Sequence, residues 1–285
     1  MMRIVNKYEE IAHGEIKSAA DRWGLSVYPK VRVADVISLD DVGATGELRR
    51  FGLQSHFDFV ICRQNWDPVY AIEFDGHLHT TPTQISRDSK KDELCKRDNF
   101  PILRINSRYL NKNFGPMSLV AWIIDVYELQ TEFERLQVDG QIPPDEPFDP
   151  FFMMSIDAAE ERFPYWLSAK PRIYIRNLYK KGKIVVPSSS GFIGYDTNDV
   201  MWGMEYIQLT KENGLYVRSA MRPQHFPINL GDLLDEILSV QLSREVLQWD
   251  KNQAGALPMS KIYLIADKLK SNINVSRSHS CGQIK

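Results

Sequence analysis

Between His56 and Gly76 the chain reads HFDFVICRQNWDPVYAIEFDG, which sets three acids, Asp58, Glu73 and Asp75, inside two short runs that are otherwise apolar. Side chains alternate along a strand. The first run therefore puts Phe57, Phe59 and Ile61 on one face and Asp58, Val60 and Cys62 on the other, and the second groups Ala71, Glu73 and Asp75 opposite Tyr70, Ile72 and Phe74. Adjacent strands would bring the carboxylates together. At ~5 Å and an effective dielectric of ~20, each pair repels by about 3 kcal/mol. An ion pair, a raised pKa on one member or a bound hard cation relieves such a cluster, and oxygen ligands suit Mg²⁺ first, with Mn²⁺ as a substitute.

The elements that must position these acids follow from periodicity. Ile4 to Trp23 has a helical apolar spacing stopped by Gly24, and Ser26 to Ile37 reads as a strand interrupted by Pro29. Ser38 to Ser55, with Gly43, Gly46 and Gly52, reads as loop or hairpin. After the two acidic strands, Ile85 to Asn99 reads as an exposed polar helix, Phe100 to Ile105 as a short buried strand and Pro116 to Val138 as a long amphipathic helix.

Residues 139–150 (DGQIPPDEPFDP) hold four prolines and four acids and mark the expected linker between a first domain, 1–138, and a second, 151–270. In the second domain the expected strands are Arg172 to Tyr179, Lys183 to Pro187, Gly203 to Thr210, Leu215 to Arg222 and Ile262 to Ala266, with a helix over Leu230 to Trp249. Residues 271–285, rich in Ser, Asn and Arg, are expected to be a disordered tail. The fold class is α/β, a mixed sheet flanked by helices followed by an α+β domain.

With 285 residues, 43% of them hydrophobic, the chain is long enough for a full core. No apolar run approaches bilayer length and the N-terminus lacks a secretory signal pattern, so a cytoplasmic protein is expected. Three widely spaced cysteines, Cys62, Cys95 and Cys281, offer neither a disulfide framework nor a CxxC metal pair. A net charge of −2 gives no global basic field, so contact with nucleic acid would rest on local patches. No Walker A, G-x-G-x-x-G or G-x-S-x-G motif is present.

The succession HFDFVI, YAIEFDGHLH and RDSKKDELCKRDNFPILRI resembles the PD-(D/E)XK nuclease superfamily, with its restriction-endonuclease-like fold, and within it bacterial domains related to very-short-patch repair endonucleases. The resemblance covers about residues 5–138. It implies a Mg²⁺-dependent endonuclease acting on DNA, or RNA, with Asp58 and Glu73 as metal ligands that activate water and offset phosphate charge. The chain departs from the pattern two residues after the glutamate, where Asp75 stands in place of lysine. Lys91, with Lys90 as competitor, is the candidate to replace that lysine. His79 is preferred over His77 for phosphate or water contact, and Glu15 over Glu10 as the first-helix acid that completes the site. Arg49, Arg50, Arg63, Arg104 and Arg108 are candidates for a phosphate-binding rim. The second domain would recognise substrate, a protein partner or another copy of the chain.

Each residue also has an ordinary reading. Asp58 and Glu73 could pair with an arginine such as Arg104; Asp75 could open an Asp-Gly turn; the helix charges could face solvent. Two other functions compete with the nuclease: a catalytically degenerate nucleic-acid-binding or adaptor module on the same fold, and a carboxylate-pair glycosidase.

Overall fold

The computed structural model describes residues 7–75, 81–106, 118–148 and 167–281. The chain forms two compact units: residues 1–150 with Gln224–Ile228, and residues 151–223 with 229–285. Among the described residues there are seven α-helices, one mixed sheet and one antiparallel sheet, and no helix long and apolar enough to cross a membrane.

The first unit is built on a four-stranded sheet in the order β1-β2-β3-β4, formed by β1 (Ser26–Arg32), β2 (His56–Cys62), β3 (Pro68–Asp75) and β4 (Ile102–Asn106). The first three strands are antiparallel, and β4 runs parallel to β3 after crossing over through α3 (Pro82–Asp98). The acidic strands are thus the two central ones, which is why both are apolar on either face. Helix α1 (Lys7–Arg22) buries Ala12, Ile16, Ala19 and Ala20 and packs on α4 (Leu119–Val138). Arg22 and the Trp23 indole N–H both donate to the buried Asp125 of α4, at 2.7 to 2.8 Å, so that carboxylate is fully paired.

Helix α3 is fixed at both ends. The Thr81 hydroxyl accepts from the Gln84 N–H, Pro82 opens the first turn, and Asn99 closes the helix in the left-handed conformation. Leu94 and Cys95 are fully buried against the sheet, among Phe57, Val60, Ala71 and Ile102.

Three expectations for this unit are corrected. The segment expected to be loop contains helix α2 (Gly46–Gln54); Gly52 serves packing, since an added Cβ would lie 2.6 Å from Leu39 Cδ2. Strand β1 stops at Arg32, and Val33–Asp35 is a 3-10 turn. The Pro-rich segment is no free linker over its described part, because Gln137 donates to the Pro143 and Glu146 carbonyls and Phe148 packs on Phe133.

The second unit is a five-stranded antiparallel sheet, in the order β8-β7-β6-β5-β9, formed by β5 (Ser190–Tyr195), β6 (Met201–Gln208), β7 (Asn213–Met221), β8 (Leu257–Pro258) and β9 (Asn274–His279). Helix α6 (Leu230–Asn252) packs on β6 and β7, with α5 (Ala169–Lys180) against α6. Here the strand reading fails at three places and misses β5, and the tail reading fails at β9. Arg172 to Tyr179 lies in α5, whose buried Ile175 and Leu178 are three residues apart. Ile262 to Ala266 lies in α7 (Met259–Lys270), where Met259, Ile262 and Ala266 form one buried stripe. Both runs are short and apolar-rich, the case in which strand and helix periods are hardest to separate. Lys183 to Pro187 is irregular. The supposed tail supplies β9, whose side chains are exposed and whose order comes from backbone pairing with β5 and from Arg277 bridging Asp232 and Asp235. Gly194 permits the approach, since a Cβ there would meet the Asn274 carbonyl oxygen at 2.3 Å.

Free Cys62 and Cys95 are both buried, and burial pushes the Cys95 thiol up to about 12. Beneath α6, Glu205 accepts hydrogen bonds from the Ser189 and Ser239 hydroxyls. Burial still raises its carboxyl to about 7, against the opposing pull of Ser189 and Arg172. A carboxyl that holds its proton more tightly folded than unfolded stabilises the fold below its unfolded pKa, near 4.5, and that contribution is lost as pH rises through about 7. Thermal melts of the second unit's transition should therefore fall between pH 5 and 8, and Glu205→Gln should flatten that dependence; an unchanged slope would contradict the assignment.

Candidate functional site

The β2–β3 ladder pairs Ile61 with Tyr70, Val60 with Ala71 and Phe59 with Ile72. One rung further the strands part, and side chains take over the backbone donors. The Asp58 N–H donates to Glu73 Oε1 at 3.1 Å, and the Phe74 N–H donates to Asp58 Oδ2 at 3.0 Å. Each carboxylate thus caps the backbone next to the other, which brings Asp58 and Glu73 together by satisfying amides that would otherwise be unpaired.

Two lysines complete the arrangement. Lys91 of α3 places Nζ 2.8 Å from Glu73 Oε2 and 2.8 Å from the His56 carbonyl oxygen, with the Phe57 ring 5.5 Å beneath. Glu73 is 7% exposed and Lys91 8%. Burial raises the Glu73 carboxyl, Lys91 opposes that shift, and Asp58 adds to it. On the other side, Lys30 Nζ lies 2.7 Å from Asp58 Oδ1 in a pair that remains partly open to solvent.

Lys30 stands opposite Asp58, between the paired rungs Pro29–Phe59 and Val31–Phe57, and has a φ of 55°. That left-handed residue disturbs the alternation of both strands. Phe57 joins Val60 and Cys62 in the cluster facing α3, whereas Phe59 stacks on His13 of α1. The expectation that Phe57, Phe59 and Ile61 share a face is therefore corrected at the rung that bears the acid. Backbone strain of this kind costs about 1–3 kcal/mol and persists where its surroundings impose it.

The four charged groups open on a cleft of about 580 Å³ also lined by His56, Gln84, Arg87 and Asp88. Of these, His56 and Arg87 are exposed. Lys30, His56 and Arg87 were not singled out in the sequence; the only signal for Lys30 was its place beside Pro29 on the strand preceding Asp58.

The remaining candidates fall into three groups. His77, His79, Arg108 and the side chain of Asp75 lie outside the described residues. Glu15, like Glu10, lies on α1 and does not line the cleft, because α1 faces the Phe59 side of the sheet. Lys90 pairs with Glu47 of α2, leaving Lys91 as the lysine at the acids.

None of the four described arginines of the expected rim lines the cleft. Arg49 pairs with Asp40, and Arg50, on the same helix α2, does not line the cleft. Arg63 follows β2 at the end away from Asp58. Arg104 stands beside Glu73 in the parallel register, but its guanidinium is engaged with Asp92 at 2.7 Å and Asp88 at 3.5 Å, clamping α3 to β4.

Among the described residues no group of three His, Cys, Asp or Glu side chains is placed to hold a metal. The donor set nevertheless fits a hard ion. Mg²⁺ keeps several waters and takes one or two carboxylates plus substrate phosphate rather than an all-protein cage. A carboxylate offers about four lone-pair sites. The hydrogen bonds described here occupy two on each acid.

Residues 2–113 match a family described as a protein of unknown function (DUF2726), a span that contains all four charged residues of the centre. No curated protein and no solved structure matches the chain.

Lys91→Met should destabilise the first unit by roughly 3–5 kcal/mol, because it leaves a buried carboxylate without its counter-charge. The double variant Lys91→Met/Glu73→Gln should recover most of that loss. Equal denaturant midpoints for the single and double variants would show that the pair does not carry the predicted coupling.

Proposed function

We propose that the chain is a Mg²⁺- or Mn²⁺-dependent nuclease that hydrolyses DNA phosphodiester bonds at the cleft of Asp58 and Glu73. The observation that carries this reading is the pair of carboxylates held together where β2 and β3 part, with a buried lysine fixed on the second. The succession α1, β1, the Asp58 strand, the Glu73 strand, α3 and β4 supports the restriction-endonuclease-like reading of the sequence.

In this proposal Asp58 and Glu73 hold the ion. When bound, the ion lowers the pKa of a water and offsets charge that builds on the phosphate. Lys91 opposes the rise that burial imposes on the Glu73 carboxyl, holds it in orientation, and supplies the positive charge that Asp75 cannot. Lys30 neutralises Asp58 in the resting protein. Its partly solvated pair is the one that can yield Asp58 to a competing cation, since pairs of this kind contribute little. Exposed Arg87 and His56 are placed to accept a phosphate group at the rim.

Plasmid nicking with Mg²⁺ or Mn²⁺ tests the proposal. Asp58→Ala and Glu73→Ala should each lower the rate by about two to three orders of magnitude, the usual cost of removing one group that stabilises transition-state charge. Cleavage that survives both changes would remove the centre from the reaction.

A second reading, a catalytically degenerate nucleic-acid-binding module, is favoured by one observation: each carboxylate already has its own ammonium partner. The two readings differ in metal linkage. A ligand that binds only the native state raises its stability, so millimolar Mg²⁺ should raise the melting temperature of the wild type and not of Asp58→Ala under the nuclease reading. Nucleic-acid binding without that shift or any cleavage favours the second.

A further inference from the structure

A second hollow, of about 600 Å³, adjoins the acidic cleft and shares Lys30 and His56 with it. It runs along β1, an edge of the sheet, towards the turn between β2 and β3. Its floor is apolar, with Val60, Val31 and Pro68. At its far end Trp66 is 68% exposed, and its ring stacks on Tyr28 at 5.2 Å between centroids and 28° between planes. The rim carries Lys30, Arg32 and His56; Arg32 pairs with Asp35 of the same rim, and Lys30 with Asp58 of the adjoining cleft.

A large indole held out in solvent on a second aromatic ring offers a flat face. Flat aromatic faces beside cationic groups suit unpaired nucleobases, because every base has a π-face and every link a phosphate. A peptide adding a strand to the same edge is disfavoured. Pro29 has no N–H to donate, and Lys30, at φ 55°, breaks the extended line that such pairing needs. From Asp58 to Cys62, beside the turn, the strand spans about 13 Å at ~3.3 Å per residue, the reach of a few nucleotides.

We infer that this groove holds the unpaired nucleotides of a single-stranded nucleic acid, with a base stacked on Trp66 while the strand's backbone passes Lys30 and His56 into the acidic cleft. The inference rests on reading that cleft as a nucleic-acid site and deepens it: the substrate is single-stranded, or is opened near the scissile bond, rather than an intact duplex.

The test is binding of a labelled twelve-residue oligothymidylate by fluorescence anisotropy in EDTA, so that no cleavage intervenes, with a twelve-base-pair duplex and an oligouridylate as parallel probes. Trp66→Ala should weaken oligothymidylate binding about 5- to 150-fold, the equivalent of one lost stacking contact. Trp66→Phe should retain most of the affinity, and duplex binding should change less than about twofold. Trp66 is exposed in a turn and meets the core only through Tyr28, so an unchanged melting temperature in Trp66→Phe and Trp66→Ala accompanies the binding measurements as the control for folding. Comparison of the two oligonucleotides shows whether the groove prefers deoxyribose or ribose. Unchanged single-strand affinity in Trp66→Ala, an equal loss on duplex, or no binding by the wild type overturns the inference. Trp66-dependent binding without metal-dependent nicking would refute the nuclease reading while leaving the groove assigned, and nicking with Trp66-independent binding would do the reverse.

Discussion

The buried ion pair between Glu73 and Lys91 is the interaction on which the rest of the first unit depends. Glu73 sits on a central strand and loses its water on folding, so the carboxylate is tolerable only with a counter-charge brought by another element. Helix α3 brings it. For Lys91 Nζ to arrive within hydrogen-bonding distance of both Glu73 and the His56 carbonyl, α3 must be fixed in rotation and in position along its axis. The Thr81 cap and Asn99 stop set its ends, Leu94 and Cys95 set its face, and Arg104 ties it to β4 through Asp88 and Asp92. These features lie on separate stretches of sequence, yet they constrain one ammonium group.

The parting of β2 and β3 has a second consequence. An interior sheet cannot leave amides unpaired, so where the ladder ends the Asp58 and Glu73 carboxylates replace backbone carbonyls as acceptors. The acids cap the backbone and line the cleft at once, and each fixes the orientation of the other. Lys30 belongs to the same construction. Its left-handed backbone lets the strand neighbouring Asp58 deliver an ammonium to that acid, and it is the point at which β1 and β2 lose their simple alternation.

How much of this was legible depended on whether the signal was local. The two acidic strands, the crossover helix and the long α4 follow from periodicity, and the convergence of Asp58 and Glu73 follows from adjacent placement of two runs joined by a short turn. Lys91 was reachable as a helix residue of suitable length. Lys30 was not, because nothing in the string YPKV announces a left-handed residue facing an acid across a rung. The described arginines stay out of the cleft for the converse reason: Arg49 and Arg104 have acidic partners nearer in space than the site, and those partners are invisible until α2 and α3 are placed. In the second unit, α5 and α7 read as strands because runs of three and five consecutive apolar residues fit either period. Strand β9 carries almost no apolar side chains, so its order lies in backbone pairing that composition cannot express.

Two carboxylates and two ammonium groups sum to zero, and this has an electrostatic corollary. A neutral cluster of alternating signs projects little field beyond a few ångströms, where salt would in any case screen it. An approaching polyanion is therefore not turned away at long range, nor is a small cation drawn in. Under the proposed reading, either would have to recognise the centre at contact distance, by exchanging one existing partner for another, so that selectivity would reside in local rearrangement rather than in steering from afar.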